Sequence, residues 1–408
     1  MNIVVLSVGD ALDVRKWSGS TLHIVRELMR VSDKISFIGA RPLETGARSL
    51  NRLAKILGFY VEVRHSTLFA RISGLWCWIA LARRRADVVV AITASAYVAY
   101  LKTDKPIIYI SDATFSSIEK MLPEFGLLPS WLIKQASLLE TLSFKKATLI
   151  VYPSTWARDS AVRDYGVPAD KILVTPFGAN LPVEVLASAV APKRLPDAGP
   201  LNILYISVDW EGKRGDLVVD TVRALSKKGI AAKAFLVGRV PKHVISDDLV
   251  EVVGYLSKND PDHMSRFLAL FTQAHLFMLP TTGDCYGIVF SEAQAFATPS
   301  LTFSVGGTPS AVLDGRTGFV LPLGSSAEDF VGRIEELLAD PRRYTAMSAA
   351  GRRRFEDEAN WTVFVERVLA ALPTTEKVAA RSDGVRGSTR RASSREVATL
   401  GRSTDEGS

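Results

Sequence analysis

Short apolar runs alternate with amphipathic stretches along most of the chain. Runs of this kind are typical of buried parallel strands. They predict strands over Ile3–Val8, Ser36–Gly39, Asp87–Thr93, Ile107–Ser111, Thr148–Tyr152, Leu201–Ser207, Ala234–Val237, Leu249–Val253, Leu276–Leu279 and Ser300–Phe303. Helical periodicity lies between them, over Thr21–Arg30, Asp216–Lys228, Met264–Gln273, Ser291–Phe296 and Ala327–Leu338. Strands that alternate with helices predict an α/β fold in which parallel sheets carry helices on both faces.

The strands fall into two series, separated by a segment rich in Pro and Ala that is typical of a linker. The length of 408 residues agrees with two or three domains. We therefore expect an α/β domain over residues 1–180, a linker over 181–200, a second domain over 201–355 and a helix over 356–373. From residue 374 the chain has almost no large apolar side chains, which predicts a disordered tail over 374–408.

Composition excludes several classes of protein. Apolar residues make up 47% of the chain and charged residues 23%, as in ordinary globular proteins. The net charge of +7 is too small for a nucleic-acid-binding protein, so no nucleic-acid partner is expected. The two cysteines, Cys77 and Cys285, form no C-x-x-C pair. Their isolation argues against a structural zinc site and is typical of a reducing compartment.

The sequence predicts a cytoplasmic location. The N-terminus lacks the basic region and cleavage site of a secretory signal. The longest uncharged apolar run, Ile72–Ala82, is too short to span a bilayer. The stretch Leu68–Arg85 ends in three arginines and allows two interpretations. It is either a core-facing helix, which we favour, or a peripheral helix with Trp76 and Trp78 at the inner face of the cell membrane.

Several common catalytic motifs are absent from the sequence. Gly9 stands alone after the first predicted strand, so the G-x-G-x-x-G pattern of nicotinamide and flavin dehydrogenases is missing. A P-loop and an H-E-x-x-H motif are missing too. Asp260-Pro-Asp262 either holds a divalent metal or begins a helix. We favour the helix start, because Asp and Pro are ordinary residues there, and we expect no metal.

Two carboxylates follow the predicted strand Leu276–Leu279. Asp284 lies in the loop after the strand, and Glu292 lies on the next predicted helix. Ligands of open α/β sheets bind beyond the carboxyl ends of the strands, and Gly287 lets the backbone approach a ligand closely. The two carboxylates therefore suit the hydroxyl groups of a sugar and a ribose. The alternative is that Asp284 caps a turn and Glu292 is a solvated helix residue.

Two basic residues, Lys213 and Arg214, follow the strand Leu201–Ser207 at the Gly-rich start of a helix. The N–H groups and the dipole of a helix N-terminus favour anions, and the two side chains add positive charge. This arrangement suits a diphosphate. The alternative is a solvated basic turn.

The order of these motifs resembles the signature of glycosyltransferase family 4, whose members are retaining enzymes with the GT-B fold. The matching residues of the second half are Asp209-Trp210-Glu211, Lys213, Asp284, Tyr286-Gly287-Ile288-Val289, Glu292-Ala293, Ala295, Thr298-Pro299 and Gly306-Gly307. Those of the first half are Trp17-Ser18-Gly19, Asp112-Ala113-Thr114, Tyr152-Pro153-Ser154 and Thr175–Asn180. The chain departs from the family where Asp284 replaces a Glu, Ala297 replaces a Gly, and Gly212 and Arg214 replace an Arg and a Gly.

The resemblance implies two Rossmann-like domains that face a central cleft, with a C-terminal helix crossing back to the first domain. It implies retaining, metal-free transfer from a UDP- or GDP-linked sugar to a glycan, lipid-linked or small-molecule acceptor. The implied catalytic residues are Asp112, Lys213 and Asp284. The implied donor-binding residues are Gly19, Lys213, Arg214, Tyr255, Leu256, Asp284, Tyr286, Gly287, Ile288, Val289 and Glu292. The implied acceptor-side residues are Lys16, Trp17, Ser18 and Asp112.

Two other functions are compatible with the same motifs. One is a degenerate partner protein that binds a sugar nucleotide without transferring the sugar, which the departures at Gly212, Asp284 and Ala297 motivate. The other is a sugar-nucleotide epimerase on the same fold. Binding of a donor without transfer to any acceptor distinguishes the first from an active transferase.

Overall fold

Two parallel β-sheets organise the residues that the computed structural model describes, which are 1–14, 16–122, 125 and 127–372. The chain divides into two units, Met1–Val368 and Leu369–Ser408, and both sheets belong to the first unit. The predicted tail over 374–408 lies outside the described residues. In the described part of the chain, no helix combines the length and the apolar character needed to cross a bilayer.

The first sheet has the strand order β2-β1-β3-β4-β5-β6. Its strands are β1 (Ile3–Ser7), β2 (Ile35–Ile38), β3 (Val88–Ile92), β4 (Ile107–Ile110), β5 (Leu149–Tyr152) and β6 (Ile172–Val174). β1 and β3 are buried along their whole length, which explains why the sequence shows them as unbroken apolar runs. The edge strand β6 is not evident from the sequence, because it has only three residues and all are partly exposed.

The second sheet has the strand order β12-β11-β10-β7-β8-β9. Its strands are β7 (Leu201–Ser207), β8 (Ala232–Gly238), β9 (Val250–Gly254), β10 (Leu276–Leu279), β11 (Ser300–Phe303) and β12 (Gly318–Leu321). β7 and β10 lie side by side at its centre, so the loops that follow them open at the same edge. The short edge strand β12 is likewise not evident from the sequence.

Helices connect the strands in both sheets, as the alternation predicts. Those of the first half are α1 (Ser20–Val31), α2 (Arg41–Ile56), α3 (Thr67–Ala82), α4 (Ser95–Val98), α5 (Phe115–Met121), α6 (Ser130–Lys146), α7 (Thr155–Tyr165) and α8 (Val183–Leu186). The remaining helices are α9 (Gly215–Lys227), α10 (Pro261–Gln273), α11 (Ile288–Ala295), α12 (Thr308–Ala311), α13 (Ala327–Ala339), α14 (Pro341–Asp357) and α15 (Trp361–Ala370). The predicted α/β fold is thus confirmed.

The start of α15 packs against the first half of the chain, as the resemblance implies. Trp361 donates its indole N–H to Asn180 Oδ1 at 2.9 Å, and its ring centroid lies 5.3 Å from that of Phe177. Thr362 donates to the Glu27 carboxylate of α1 at 3.0 Å. A Cβ on Gly178 would lie 2.4 Å from the Trp361 backbone nitrogen, so only glycine allows this close approach.

Candidate functional site

A cavity of about 480 Å³ lies between the two sheets, at the carboxyl ends of their strands. Loops that follow β1, β4, β7, β9 and β10 contribute to its wall. Most of the residues expected from the sequence meet there: Trp17, Ser18, Asp112, Lys213, Tyr255, Leu256, Asp284, Tyr286, Gly287, Ile288, Val289 and Glu292. Three expected residues, Lys16, Gly19 and Arg214, lie outside its lining.

Lys213 and Asp284 form an ion pair on the wall of the cavity. Lys213 Nζ lies 2.8 Å from Asp284 Oδ2 and also donates to the Gly283 carbonyl at 2.7 Å and to Thr281 Oγ1 at 3.0 Å. The two charged side chains are 19% and 21% exposed, so a ligand in the cavity can reach them. The pair joins the loop after β7 to the loop after β10, which are 71 residues apart in sequence.

The turn that carries Lys213 explains the unusual glycine before it. The Gly212 N–H donates to Asp209 Oδ1 at 3.0 Å, and a Cβ on Gly212 would lie 2.2 Å from Asp209 Oδ2. Glycine therefore lets the Asp209 carboxylate close the turn. Arg214 has a left-handed backbone, and its guanidinium binds Asp216 at 3.0 Å. Arg214 thus pairs with a residue of the helix that it precedes, whereas the sequence predicted it to bind the diphosphate.

Two consecutive glycines, Gly306 and Gly307, hold the loop that carries Asp284. A Cβ on Gly306 would lie 2.2 Å from the Asp284 carbonyl oxygen, and one on Gly307 would lie 1.9 Å from that of Cys285. The Gly307 N–H also donates to the Asp284 carbonyl at 3.0 Å. Side chains at these positions would push the Asp284 loop away from β11. The glycine pair is therefore a support for the ion pair.

The N-terminus of α11 opens onto the cavity. Gly287 is its N-cap, with a φ of +85°, and a Cβ there would lie 2.5 Å from the Phe290 ring. Tyr286 is buried, and its ring lies 5.7 Å from that of Phe177 in the first half of the chain. Gly287, Ile288 and Val289 line the cavity, so the N–H groups that begin this helix lie at its wall.

Glu292 is 2% exposed and forms an ion pair with Lys258, which the sequence analysis did not identify. The Lys258 ammonium also lies 4.8 Å from the centroid of the Phe267 ring. Burial excludes the solvated-helix interpretation of Glu292. Lys258 lies in the loop after β9, 34 residues before Glu292, and no sequence motif links two positions that far apart. The loop after β9 reaches α11 in the fold, which brings Lys258 and Glu292 together.

The loop after β1 faces the ion pair across the cavity. Trp17, Ser18 and Gly19 all have positive φ values, of 48°, 54° and 91°. The Trp17 indole N–H donates to Asp112 Oδ2 at 2.9 Å, and the Ser18 carbonyl accepts from Asn180 Nδ2 at 2.8 Å. Burial raises the pKa of Asp112 to about 6; the Trp17 hydrogen bond opposes this shift, and the charge of Asp284 adds to it.

No group of three or more potential His, Cys, Asp or Glu metal ligands occurs in the described part of the chain. Asp260 of the D-x-D sequence is the N-cap of α10, where Oδ1 accepts the N–H groups of Asp262 at 3.0 Å and His263 at 3.1 Å. This carboxylate is therefore engaged in helix capping, as the favoured interpretation predicts.

Two protein-family models match the chain. Residues 20–178 match a model described as glycosyl transferase 4-like domain, and residues 200–340 match one described as glycosyl transferases group 1. The chain belongs to the family 4 type of glycosyltransferases. Residues from both matched parts line the cavity, among them Asp112 from the first and Lys213 from the second.

Curated relatives and solved structures agree with this family. A D-inositol 3-phosphate glycosyltransferase of Streptomyces avermitilis is 27% identical over 220 residues, which are 48% of this chain and 46% of the relative. A GDP-mannose-dependent alpha-(1-6)-phosphatidylinositol monomannoside mannosyltransferase of Mycolicibacterium smegmatis is 43% identical over 86 residues, 21% of this chain and 22% of the relative. The chain thus matches less than half the length of these relatives.

The structure of Anabaena HepE in complex with UDP-glucose superposes on this glycosyltransferase chain with a TM-score of 0.61 at 13% identity. The superposition covers 91% of this chain and 99% of HepE. At this identity the likeness establishes the fold, which is GT-B: two α/β halves with a cleft between the carboxyl ends of their sheets.

Proposed function

We propose that the protein is a retaining glycosyltransferase that transfers a sugar from a nucleoside-diphosphate sugar to an acceptor hydroxyl without a metal. The observation that carries the proposal is the Lys213–Asp284 ion pair, which lies in one cavity with the N-terminus of α11 and with Asp112. Cationic and N–H groups near a leaving diphosphate stabilise the charge that develops in the transition state. They supply the positive charge that a metal supplies in other transferases.

The donor lies against the second half of the chain in this proposal. Glu292 accepts hydrogen bonds from the ribose hydroxyls, and its ion pair with Lys258 fixes the carboxylate for that purpose. Tyr255 and Leu256 line the cavity beside Lys258 and contact the base. Asp284 and the N–H groups near Ile288 bind the sugar. The UDP-glucose complex of HepE and the GDP-mannose named for a relative support a UDP- or GDP-linked donor.

The transfer breaks the bond between the anomeric carbon and the diphosphate oxygen and forms a bond from that carbon to the acceptor oxygen. In the retaining course the acceptor attacks on the face from which the diphosphate leaves, and the departing phosphate takes the acceptor proton. Lys213 stabilises the negative charge of the leaving group. Asp112 in its ionised form orients the acceptor hydroxyl and stabilises the positive charge that develops on the sugar. Trp17 holds Asp112 in place.

A thermal-shift panel tests the donor site. UDP-, GDP-, ADP- and dTDP-sugars are added to the wild type and to Lys213→Ala, with and without EDTA. Binding to the folded state raises the Tm, so we expect a shift with one nucleotide that EDTA preserves and that Lys213→Ala reduces. Lys228→Ala is the matched control, because Lys228 pairs with Glu335 at 2.8 Å outside the cavity. No shift with any donor, or a shift that requires a divalent metal, would contradict the proposal.

Peripheral contact with an anionic membrane is a further part of the proposal. One face of α3 is buried against the first sheet, including Phe69 and Cys77, which agrees with the core-facing interpretation. The opposite face is largely apolar, and six of its side chains are between 41% and 68% exposed: Leu68, Ile72, Leu75, Trp76, Trp78 and Ile79. Three exposed arginines, at 83, 84 and 85, follow the helix. An apolar face next to clustered arginines suits a surface of anionic lipid.

Sedimentation with lipid vesicles tests the membrane contact. We expect the protein to sediment with phosphatidylglycerol vesicles at low salt and to remain in solution with phosphatidylcholine vesicles. The double substitution Ile72→Ser and Ile79→Ser should abolish the binding. Val162→Ser removes an exposed apolar side chain on α7 and serves as the control. Equal sedimentation of the double variant and the control would exclude the α3 face.

A further inference from the structure

A second cavity, also of about 480 Å³, is lined mainly by the first half of the chain, with Cys285 contributed by the second half. It is bounded by the loops after β1, β3 and β4 and by residues of α3, α5 and α6. Trp17 and Asp112 line both this cavity and the one between the sheets. The hydrogen bond from Trp17 to Asp112 therefore stands at the boundary of the two spaces. We call the second space the inner cavity.

Aromatic rings form much of the wall of the inner cavity. His65, Phe115 and Phe125 pack edge to face, with ring centroids 5.1 Å apart for the first pair and 5.9 Å for the second. Tyr97 and Tyr109 add two more rings. Burial lowers the pKa of His65 to about 4, so its imidazole is neutral near pH 7 and packs as an aromatic ring.

Two charged side chains of the inner cavity, Glu140 and Arg64, are engaged with the protein, and Lys16 also lines the cavity. Glu140 is 4% exposed and accepts the Phe115 N–H at 2.6 Å. Arg64 pairs with Glu62 at 2.9 Å. A ligand with many hydroxyls would bury several of them against rings and methyl groups, which costs free energy for each one left without a partner. The wall therefore favours a ligand that is flat and apolar over most of its surface.

Two residues that line the inner cavity have strained backbone conformations. Thr93, at the end of β3, lines the inner cavity with a φ of +48°, a conformation that β-branched residues rarely adopt. Trp17, at the boundary, also has a positive φ. Strained residues that persist in a fold cluster at ligand sites, because the surrounding structure must hold them there.

We propose that the inner cavity is an acceptor subsite for an aromatic or alicyclic ring, and that the acceptor is a small molecule that carries its reacting hydroxyl on a group attached to that ring. The inference rests on the proposed transferase function and adds the chemical class of the acceptor. The ring occupies the space between Phe115 and Tyr109, and the hydroxyl points to Asp112 at the boundary. This placement brings the acceptor oxygen towards the donor cavity while the apolar part stays away from water.

Calorimetry without a donor tests the subsite independently of catalysis. The probes are 4-nitrophenyl α-D-glucopyranoside and methyl α-D-glucopyranoside, which share the sugar and differ in the ring. We expect the nitrophenyl glycoside to bind at least tenfold more tightly. With the donor found in the thermal-shift panel, its kcat/KM as acceptor should exceed that of the methyl glycoside by a similar factor. Equal affinity and equal kcat/KM for the two glycosides would overturn the inference.

Variants that fill the inner cavity test whether the preference for the nitrophenyl glycoside arises there. Ala136→Phe places a ring inside the inner cavity from α6, and Leu138→Phe places the same ring on the exposed side of that helix. We expect Ala136→Phe to remove the preference for the nitrophenyl glycoside and Leu138→Phe to retain it. Ile118→Trp on α5 is the second filling variant if Ala136→Phe does not fold. A preference that survives filling contradicts the inference.

Donor binding and donor hydrolysis by water separate the two proposals. Both should be unchanged in the filling variants, because the donor cavity lies on the other side of Trp17 and Asp112. If donors raise the Tm and are hydrolysed but the ring gives no advantage, the acceptor class is wrong and the transferase proposal stands. If no donor binds, the transferase proposal itself fails.

Discussion

The two walls of the cleft are built by different means. The wall from the second half uses two charged pairs, Lys213–Asp284 and Lys258–Glu292, and the loop of Asp284 is held by glycines at positions where a Cβ would collide with backbone. The wall from the first half uses an indole–carboxylate hydrogen bond and, behind it, a cavity lined with aromatic rings. The second half thus suits a charged ligand, and the first half suits one that is largely apolar.

This difference explains why the residues of the second wall could be recognised in the sequence and most residues of the first wall could not. Asp284, the α11 N-terminus, Glu292 and the supporting glycines lie within one short segment, so their spacing is visible as a motif. Apart from Trp17, the aromatic rings of the inner cavity come from positions between His65 and Phe125 on several separate elements. Apolar residues so dispersed look like ordinary core in a sequence. The four experiments below test this contrast.

Removing the Lys213 ammonium should have the largest effect on turnover. Lys213→Ala leaves Asp284 without its partner and removes a cation from the site of the leaving group. We expect kcat to fall by about 10²- to 10³-fold, the loss typical of one group that stabilises transition-state charge. Steady-state kinetics with the bound donor measure it, and Lys228→Ala should keep wild-type turnover. A loss of kcat of tenfold or less would show that Lys213 does not act in the chemical step.

Gly307→Ala should have the largest effect on stability. The new Cβ would lie 1.9 Å from the Cys285 carbonyl oxygen, so the Asp284 loop or β11 must move. We expect a loss of about 3 kcal/mol in the free energy of unfolding, the upper range for overpacking. Denaturant titration measures it. Gly332→Ala in α13 is the control, since a Cβ there meets nothing within 4 Å and should add stability. A change within 1 kcal/mol at Gly307 would show that the loop adapts.

The pH profile tests the wall of the first half. Because burial raises the pKa of Asp112 to about 6, the carboxyl is protonated below that pH and ionised above it. We expect kcat/KM to rise with pH through about 6 and this limb to vanish in Asp112→Asn. Trp17→Phe removes a hydrogen bond to the ionised form, so the limb should move to higher pH. An acid limb that Asp112→Asn leaves unchanged would assign it to another group.

Ala297→Gly should have the smallest effect. Ala297 has a φ of +53° at the position where the family carries glycine, and a left-handed alanine costs about 1 kcal/mol. Glycine relieves that strain, but it removes a buried methyl group and adds entropy to the unfolded chain, at a similar cost. We expect a change in unfolding free energy within about 1 kcal/mol, measured by denaturant titration. A gain above about 2 kcal/mol would show that Ala297 is a costly departure.

Local sequence pattern alone determined the α/β architecture of this protein and most of the cleft wall that its second half contributes. Buried parallel strands are short apolar runs, and the motif from Asp284 to Glu292 is contiguous, so both are readable from neighbouring residues. The edge strands β6 and β12 were missed because their apolar runs are only three residues long.

Tertiary structure alone decided which side chains meet. It pairs Lys258 with Glu292 and Trp17 with Asp112, and it closes the inner cavity behind Asp112. Trp17 and Asp112 are 95 residues apart, and only the packing of β1, β3 and β4 side by side brings their loops together. Contacts between residues so distant in sequence depend on how strands are ordered in the sheet, which no local pattern encodes.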